Sequence, residues 1–253
     1  MLIDTHLHLH EPYMQEERLD KVIENIEQNK ILTWAQSCDL ETHKFTLDVC
    51  KRSKYLFPSF GVLPWYAHKV TEQHDLIEKL CGEAIMLGEI GLDKVNTKDV
   101  ASHDHELPLF EIFLREAEKN NKIMNCHFRG DERGSFEVVK SYKAKKIIFH
   151  SYTGDLKLMN EINDMGYYYS LRKHTGKEKV LATPDDLLLL EIDVLSSRSP
   201  DLSSDIFKAM LEHIAAIKKT TPEEIEAINQ RNVLRLIKDD PNLKDMADLI
   251  SAK

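Results

Sequence analysis

The chain has 253 residues, with 34 lysines and arginines against 43 aspartates and glutamates, a formal net charge of −9. That balance excludes a protein that coats nucleic acid through a general basic surface, so any polyanion must be held locally. Four widely spaced cysteines, Cys38, Cys50, Cys81 and Cys126, form no C-x-x-C pair, which excludes a zinc knuckle or a disulfide framework and fits a reducing cytoplasm.

No basic region with an apolar core and cleavage site opens the chain, and no apolar run approaches the roughly 18 residues of a membrane span. A soluble, unprocessed cytoplasmic protein is expected, with no membrane attachment and no obligate protein partner.

Short apolar runs then alternate with helical patterns along the chain. Leu2 to Leu9 reads as a strand, Glu16 to Asn29 as a helix with Leu19, Val22, Ile23 and Ile26 on one face, and Ile31 to Ala35 as a second strand. Helix Glu41 to Arg52, strand Tyr55 to Val62, helix His74 to Cys81 and strand Ala84 to Ile90 follow. A polar stretch, Asn96 to Asp104, leads to helix Glu106 to Asn120 and strand Ile123 to His127. Helix Glu132 to Tyr142, strand Lys146 to His150, helix Asp155 to Met165, strand Tyr167 to Leu171 and strand Leu187 to Val194 complete the pattern. Two helices close it, Ser203 to Lys219 capped by Ser203 and Pro222 to Lys238 opened by Thr221 and Pro222. Eight strands separated mostly by helical crossovers predict a single-domain (β/α)8 TIM barrel over residues 1–238, of a length such barrels commonly take, with residues 239–253 as a terminal appendage.

In such a barrel the chemistry sits at the C-terminal ends of the strands. Strand one ends in His6 and His8, which project on one face because they are two apart. Taken alone, that pair reads equally well as ordinary surface or core histidines. Strand four ends in Glu89, strand five in His127, strand six in His150 and strand eight in Asp193. One or two such residues are absorbed by solvation or capping, but six converging on one mouth are not. Asp193 interrupts an apolar strand, where an unpaired carboxylate is costly and a cation would remove the cost.

The motifs DTHLHLH, LGEIGLD, NCHFRG, IIFHSYTGD and LLLLEID, with the terminal QRNVLRLI, resemble in order and along nearly the whole chain the TatD-family metal-dependent deoxyribonucleases. The resemblance implies a binuclear hydrolase. His6 and His8 would hold one metal and His127 and His150 the other. Glu89 would bridge the two, and Asp193 would bind the first metal and handle the proton of the attacking water. Two divalent ions suit phosphodiester hydrolysis, with magnesium or manganese supporting activity and zinc or iron also accommodated by a set rich in imidazole. The expected substrate is DNA, single-stranded or at its ends, or another phosphoester.

Basic residues follow several strand ends: Lys94 and Lys98, Arg129 and Arg133, Arg172, Lys173, Lys177 and Lys179, and Arg198. Most read as solvated loop charges. Arg129 is the exception, since HFR matches the family's H-x-R, and Arg129, Lys94 and Trp65 are the candidate substrate-binding residues. Trp65 and Tyr66 read equally as base-stacking rings and as loop packing. His103 and His105 repeat the H-x-H spacing but precede a helix, so they read as first-turn polar residues, and His10, His43, His68, His74, His174 and His213 have no matched partner. Cys126 faces away from its neighbour His127 by alternation.

The chain departs from the family's usual pattern on the substrate side. Leu63 stands where G-x-H-P carries a histidine, Ile192 replaces a threonine before Asp193, Leu195 stands at a proline position, and Lys94 replaces an aromatic ending. None of these removes a ligand. Two further readings remain open: a hydrolase of small amides or lactones, disfavoured because Glu89 stands where many such enzymes carry a carboxylated lysine, and a non-catalytic metal-binding barrel.

Overall fold

The computed structural model describes residues 1–10, 16–98, 100–193 and 204–252. Within them eight parallel strands run in chain order: β1 Ile3–Leu7, β2 Leu32–Ala35, β3 Leu56–Pro58, β4 Leu87–Asp93, β5 Met124–Arg129, β6 Ile147–His150, β7 Tyr168–Leu171 and β8 Leu188–Leu190. Ladders join β1 through β3 and β4 through β8. Between the two groups, Phe60 donates to Met86 O at 3.0 Å and accepts from Gly88 N at 2.7 Å. At the other seam Thr5 Oγ1 donates to Leu190 O at 3.0 Å, and Asp193 N donates to His6 O at 3.1 Å. These bonds close the (β/α)8 barrel.

Helices α1 Glu16–Asn29, α2 Leu40–Cys50, α3 His74–Glu83, α4 Val100–Asn120, α5 Glu132–Lys140, α6 Leu156–Asp164, α7 Lys177–Ala182, α8 Ser204–Lys218, α9 Pro222–Ile237 and α10 Lys244–Ser251 surround it. The amphipathic helices bury one apolar stripe, as α6 does with Leu158, Met159 and Ile162. Thr221 caps α9 as its sequence position predicts, accepting from Glu224 N at 3.2 Å. Ser203, Arg198, Val194 and Leu195 lie outside the described residues.

Several boundaries differ from the sequence reading. The helix α4 starts at Val100 rather than Glu106, because its early polar turns continue through Pro108, a residue that reads as a helix start. A 3-10 segment, Pro64–Gln73, and the short α7 carry too little apolar periodicity to be legible. Past residue 238, α10 packs its Met246 and Ile250 into a buried cluster with Ile3, Leu32, Trp34, Ile123, Ile148 and Leu189. Trp34 Nε1 lies 3.2 Å from Met246 Sδ. This cluster plugs the end of the barrel where the strands begin.

Two ladder irregularities interrupt the strands, one in β1 between Asp4 and Leu7 and one in β4 between Leu87 and Ile90. Such bulges re-aim side chains at barrel rims; here they flank His6 and Glu89. Gly88 takes φ +136°, and a Cβ on Gly61 would overlap the Gly88–Glu89 peptide, so both glycines are required where β4 turns Glu89 inward.

Candidate metal centre

Glu89 lies at the centre of the mouth, fully enclosed by imidazoles. Its Oε2 is 2.8 Å from His8 Nε2 and 3.3 Å from His6 Nε2, while its Oε1 is 2.6 Å from His127 Nδ1 and 3.3 Å from His150 Nε2. One carboxylate oxygen thus serves each histidine pair. The His6 and His150 rings stack at 3.9 Å, and Asp193 Oδ1 stands 3.9 Å from His6 Nε2. All six residues singled out at the strand ends therefore meet in one pocket, and all six are buried.

Each imidazole is also held from behind. His6 Nδ1 is 3.1 Å from Asn125 Oδ1, and since the Asn125 amide donates to Thr5 O at 2.9 Å, its oxygen must face His6 and accept from it. His127 Nε2 is 2.7 Å from Asp93 Oδ2, His150 Nδ1 is 3.1 Å from both Glu191 oxygens, and His8 Nδ1 is 3.4 Å from Cys38 Sγ. A histidine whose outer nitrogen gives its proton to an acceptor presents a lone pair on the inner one, the arrangement by which proteins orient metal ligands. Asp93, Asn125 and Glu191 went unnoticed in the sequence, and Cys38 was read there only as a cysteine without a C-x-x-C partner. The first three sit inside the motifs quoted above, two to four residues from a candidate ligand, so the signal was present.

Buried carboxylates dominate the electrostatics of the pocket. Burial alone would lower the imidazoles, but carboxylates outweigh it: Glu191, Glu89 and Asp193 raise His150 to about 10, and Glu89 and Asp93 raise His127. Burial would raise Glu89, yet His150, His6 and His127 hold its carboxyl well below the ordinary range. Asp193 is likewise lowered against burial by His150 and His6. Burial drives Asp4 the other way, well above its usual value, with Glu191 and Asp193 adding to it. Five acids, Asp4, Glu89, Asp93, Glu191 and Asp193, are buried here. Among the described residues, Arg172 is the one arginine or lysine ion-paired with any of them, donating to Asp193 Oδ2 at 2.7 Å.

The other Asp193 oxygen, Oδ1, is buried with no hydrogen-bond partner among the described residues. Asp193 also holds φ +48°, a left-handed conformation that is uncommon outside glycine and clusters at functional sites. An orphaned carboxylate oxygen beside four inward imidazole nitrogens and the Glu89 carboxylate between them is a donor set that fits divalent cations. Three-donor groups such as His6–His8–Asp193 and His6–Glu89–His150 place their ligand atoms within 4.8 Å of one another.

The remaining sequence candidates fall around this pocket. Trp65 sets its ring edge-on to His127 at 5.6 Å, so it borders the site rather than a remote loop. Arg129 donates from Nη1 to Phe128 O at 2.8 Å and has no carboxylate partner among the described residues. Lys94 is drawn to Asp131 at 2.6 Å, Arg133 to Glu161 at 2.7 Å, and Lys179 to Thr153 O at 2.8 Å. His103 pairs with Glu106 within α4, and the other Glu106 oxygen accepts from Asp93 N at 2.9 Å. Cys126 points to Met124 O in the core, opposite its neighbour His127. Leu63 is buried, 2% exposed, just before the 3-10 segment. His10, left without a partner in the sequence, joins His8 and Cys38 in a further cluster. Among the described residues no helix is long and apolar enough to cross a membrane.

The fold has known counterparts. An Escherichia coli TatD homologue has a crystal structure that superposes with TM-score 0.80 at 16% identity, covering 93% of this chain and 97% of that one. A metal-dependent hydrolase of Methanocaldococcus jannaschii is 27% identical over 254 residues, 93% of this chain and 96% of the relative. Human deoxyribonuclease TATDN3 is 22% identical over 264 residues, 93% of this chain and 94% of its own. The sequence model of the TatD related DNase family matches residues 3–238, a span containing every residue of the pocket, and so the chain belongs to that family of metal-dependent hydrolases.

Proposed function

We propose that the chain is a binuclear metal-dependent phosphodiesterase whose substrate is DNA, cut at single-stranded regions or ends. The observation that carries this reading is the split carboxylate of Glu89, one oxygen to His6 and His8 and the other to His127 and His150. A shared carboxylate between two nitrogen pairs is the arrangement expected of a bridge between two cations.

His6 and His8 with Asp193 would hold one ion, and His127 and His150 the other, magnesium or manganese for activity with zinc or iron also accommodated. When bound, the pair supplies Lewis acidity to the phosphoryl oxygens and lowers the pKa of a water. Asp193 presents Oδ1 toward His6 and takes the proton of the attacking water. Arg172 holds Oδ2 in place, so that the carboxylate keeps one oxygen free. On the rim, Arg129 offers a guanidinium for a backbone phosphate, and Trp65 offers an aromatic edge and face for an unstacked base. Lys94 serves the structure by joining the end of β4 to the start of α5 through Asp131. The support for DNA is the name carried by the human relative together with these two rim groups.

The test is side-by-side hydrolysis of a single-stranded DNA oligonucleotide and a generic phosphodiester with added manganese. The expected result is shortening of the oligonucleotide, with Asp193→Asn reducing the rate by about 10²- to 10⁴-fold, the usual contribution of a positioned proton acceptor. Cleavage of the generic ester alone would overturn the DNA assignment and leave the metal chemistry standing.

A further inference from the structure

We propose that His8, His10 and Cys38 form a third cation site, suited to a borderline-soft ion of the zinc class and sharing His8 with the binuclear pocket. One donor atom from each of the three lies within 4.8 Å of the others. All are buried, at 0%, 5% and 3% exposure respectively. Cys38 Sγ is 3.4 Å from His8 Nδ1, and the His8 and His10 rings meet edge to face at 5.4 Å. His10 Nδ1 is buried and has no hydrogen-bond partner among the described residues. Leaving such a nitrogen unsatisfied costs free energy that coordination would recover.

The donor chemistry separates this site from its neighbour. Two imidazoles and a thiolate select zinc, cobalt or copper(I), whereas magnesium takes oxygen ligands. Cys38 is the one sulfur in any metal-competent cluster of the described residues. Binding releases the Cys38 thiol proton to solvent and uses lone pairs on Sγ, on His8 Nδ1 and on a His10 nitrogen.

A consequence follows from the shared ring. His8 Nε2 faces Glu89 while its Nδ1 faces Cys38. A neutral imidazole has one lone-pair nitrogen at a time, so an ion at Nδ1 withdraws His8 from the binuclear pocket. Excess zinc should therefore inhibit the enzyme. This consequence rests on the metal-dependent reading of the mouth, while the existence of the site does not.

Stepwise cobalt(II) loading of the whole protein distinguishes the two. A thiolate-to-cobalt charge-transfer band is expected in the near ultraviolet, absent in Cys38→Ser and unaffected in Cys126→Ser. His10→Asn should weaken cobalt binding at the band by at least the roughly 10- to 100-fold that losing even an outer-sphere partner costs. No band at full loading, or a band whose titration is unchanged in His10→Asn, would overturn the site. On the manganese-loaded enzyme, added zinc should inhibit, with His10→Asn requiring roughly tenfold more zinc or beyond. A cobalt band without zinc inhibition would overturn the competition for His8.

Discussion

The two ends of the barrel are made from the same strands and carry opposite chemistry. β1 contributes Ile3 to the floor and His6 to the mouth, the β5 chain runs from Ile123 to His127, β6 from Ile148 to His150, and the β8 chain from Leu189 to Asp193. At the floor, Trp34, Met246 and Ile250 shut an apolar cluster. At the mouth, five acids and four imidazoles are buried together. The contrast teaches that stability is concentrated where the strands begin, and that the mouth tolerates crowded charge because the floor and helices hold the scaffold around it.

Breaking the floor gives the largest effect. Trp34→Ala removes a side chain that is 1% exposed and should destabilise the fold by about 3–5 kcal/mol, measured by urea unfolding, while metal bound per folded chain stays unchanged. If metal affinity fell in proportion to stability, the two ends would not be separable.

The converse change is Glu191→Gln, which keeps the packing behind His150 but replaces the carboxylate that faces its Nδ1. Metal affinity should fall by roughly 10- to 100-fold with little change in the unfolding midpoint, as read by metal titration and thermal melting. An unchanged affinity would show that His150 is not oriented from behind.

The smallest effect lies outside both ends. His43 on α2 is held neutral mainly by burial, its pKa lowered to about 4, with its ring against Phe60. Between an unfolded value of about 6.5 and the folded value, the unfolded chain binds the extra proton, so this group's contribution to stability is present above about 6.5 and is lost as pH falls toward 4. His43→Leu should flatten that part of the pH–stability curve without touching metal content.

The alternation of strands and helices was legible because the strands are apolar and the longer helices amphipathic, and the residues that meet in the pocket were legible because polar residues end apolar strands. What lay beyond reach depended on which ring nitrogen faces outward. Asp93, Asn125 and Glu191 stand beside candidate ligands, but their role appears only when the histidines are oriented. The grouping of His10 with Cys38 required the pairing of β1 with β2, 28 residues away along the chain. The docking of α10 was equally hidden, since a short terminal helix with Met246 and Ile250 on one face does not declare what it covers.

The most direct test of the central claim is an anomalous-diffraction map of the manganese-soaked protein, beside one of Glu89→Gln. The account predicts two peaks flanking the Glu89 carboxylate in the wild type, one against His6, His8 and Asp193 and the other against His127 and His150, with occupancy lost in the variant. A single peak, or two peaks that persist without the Glu89 carboxylate, would contradict it.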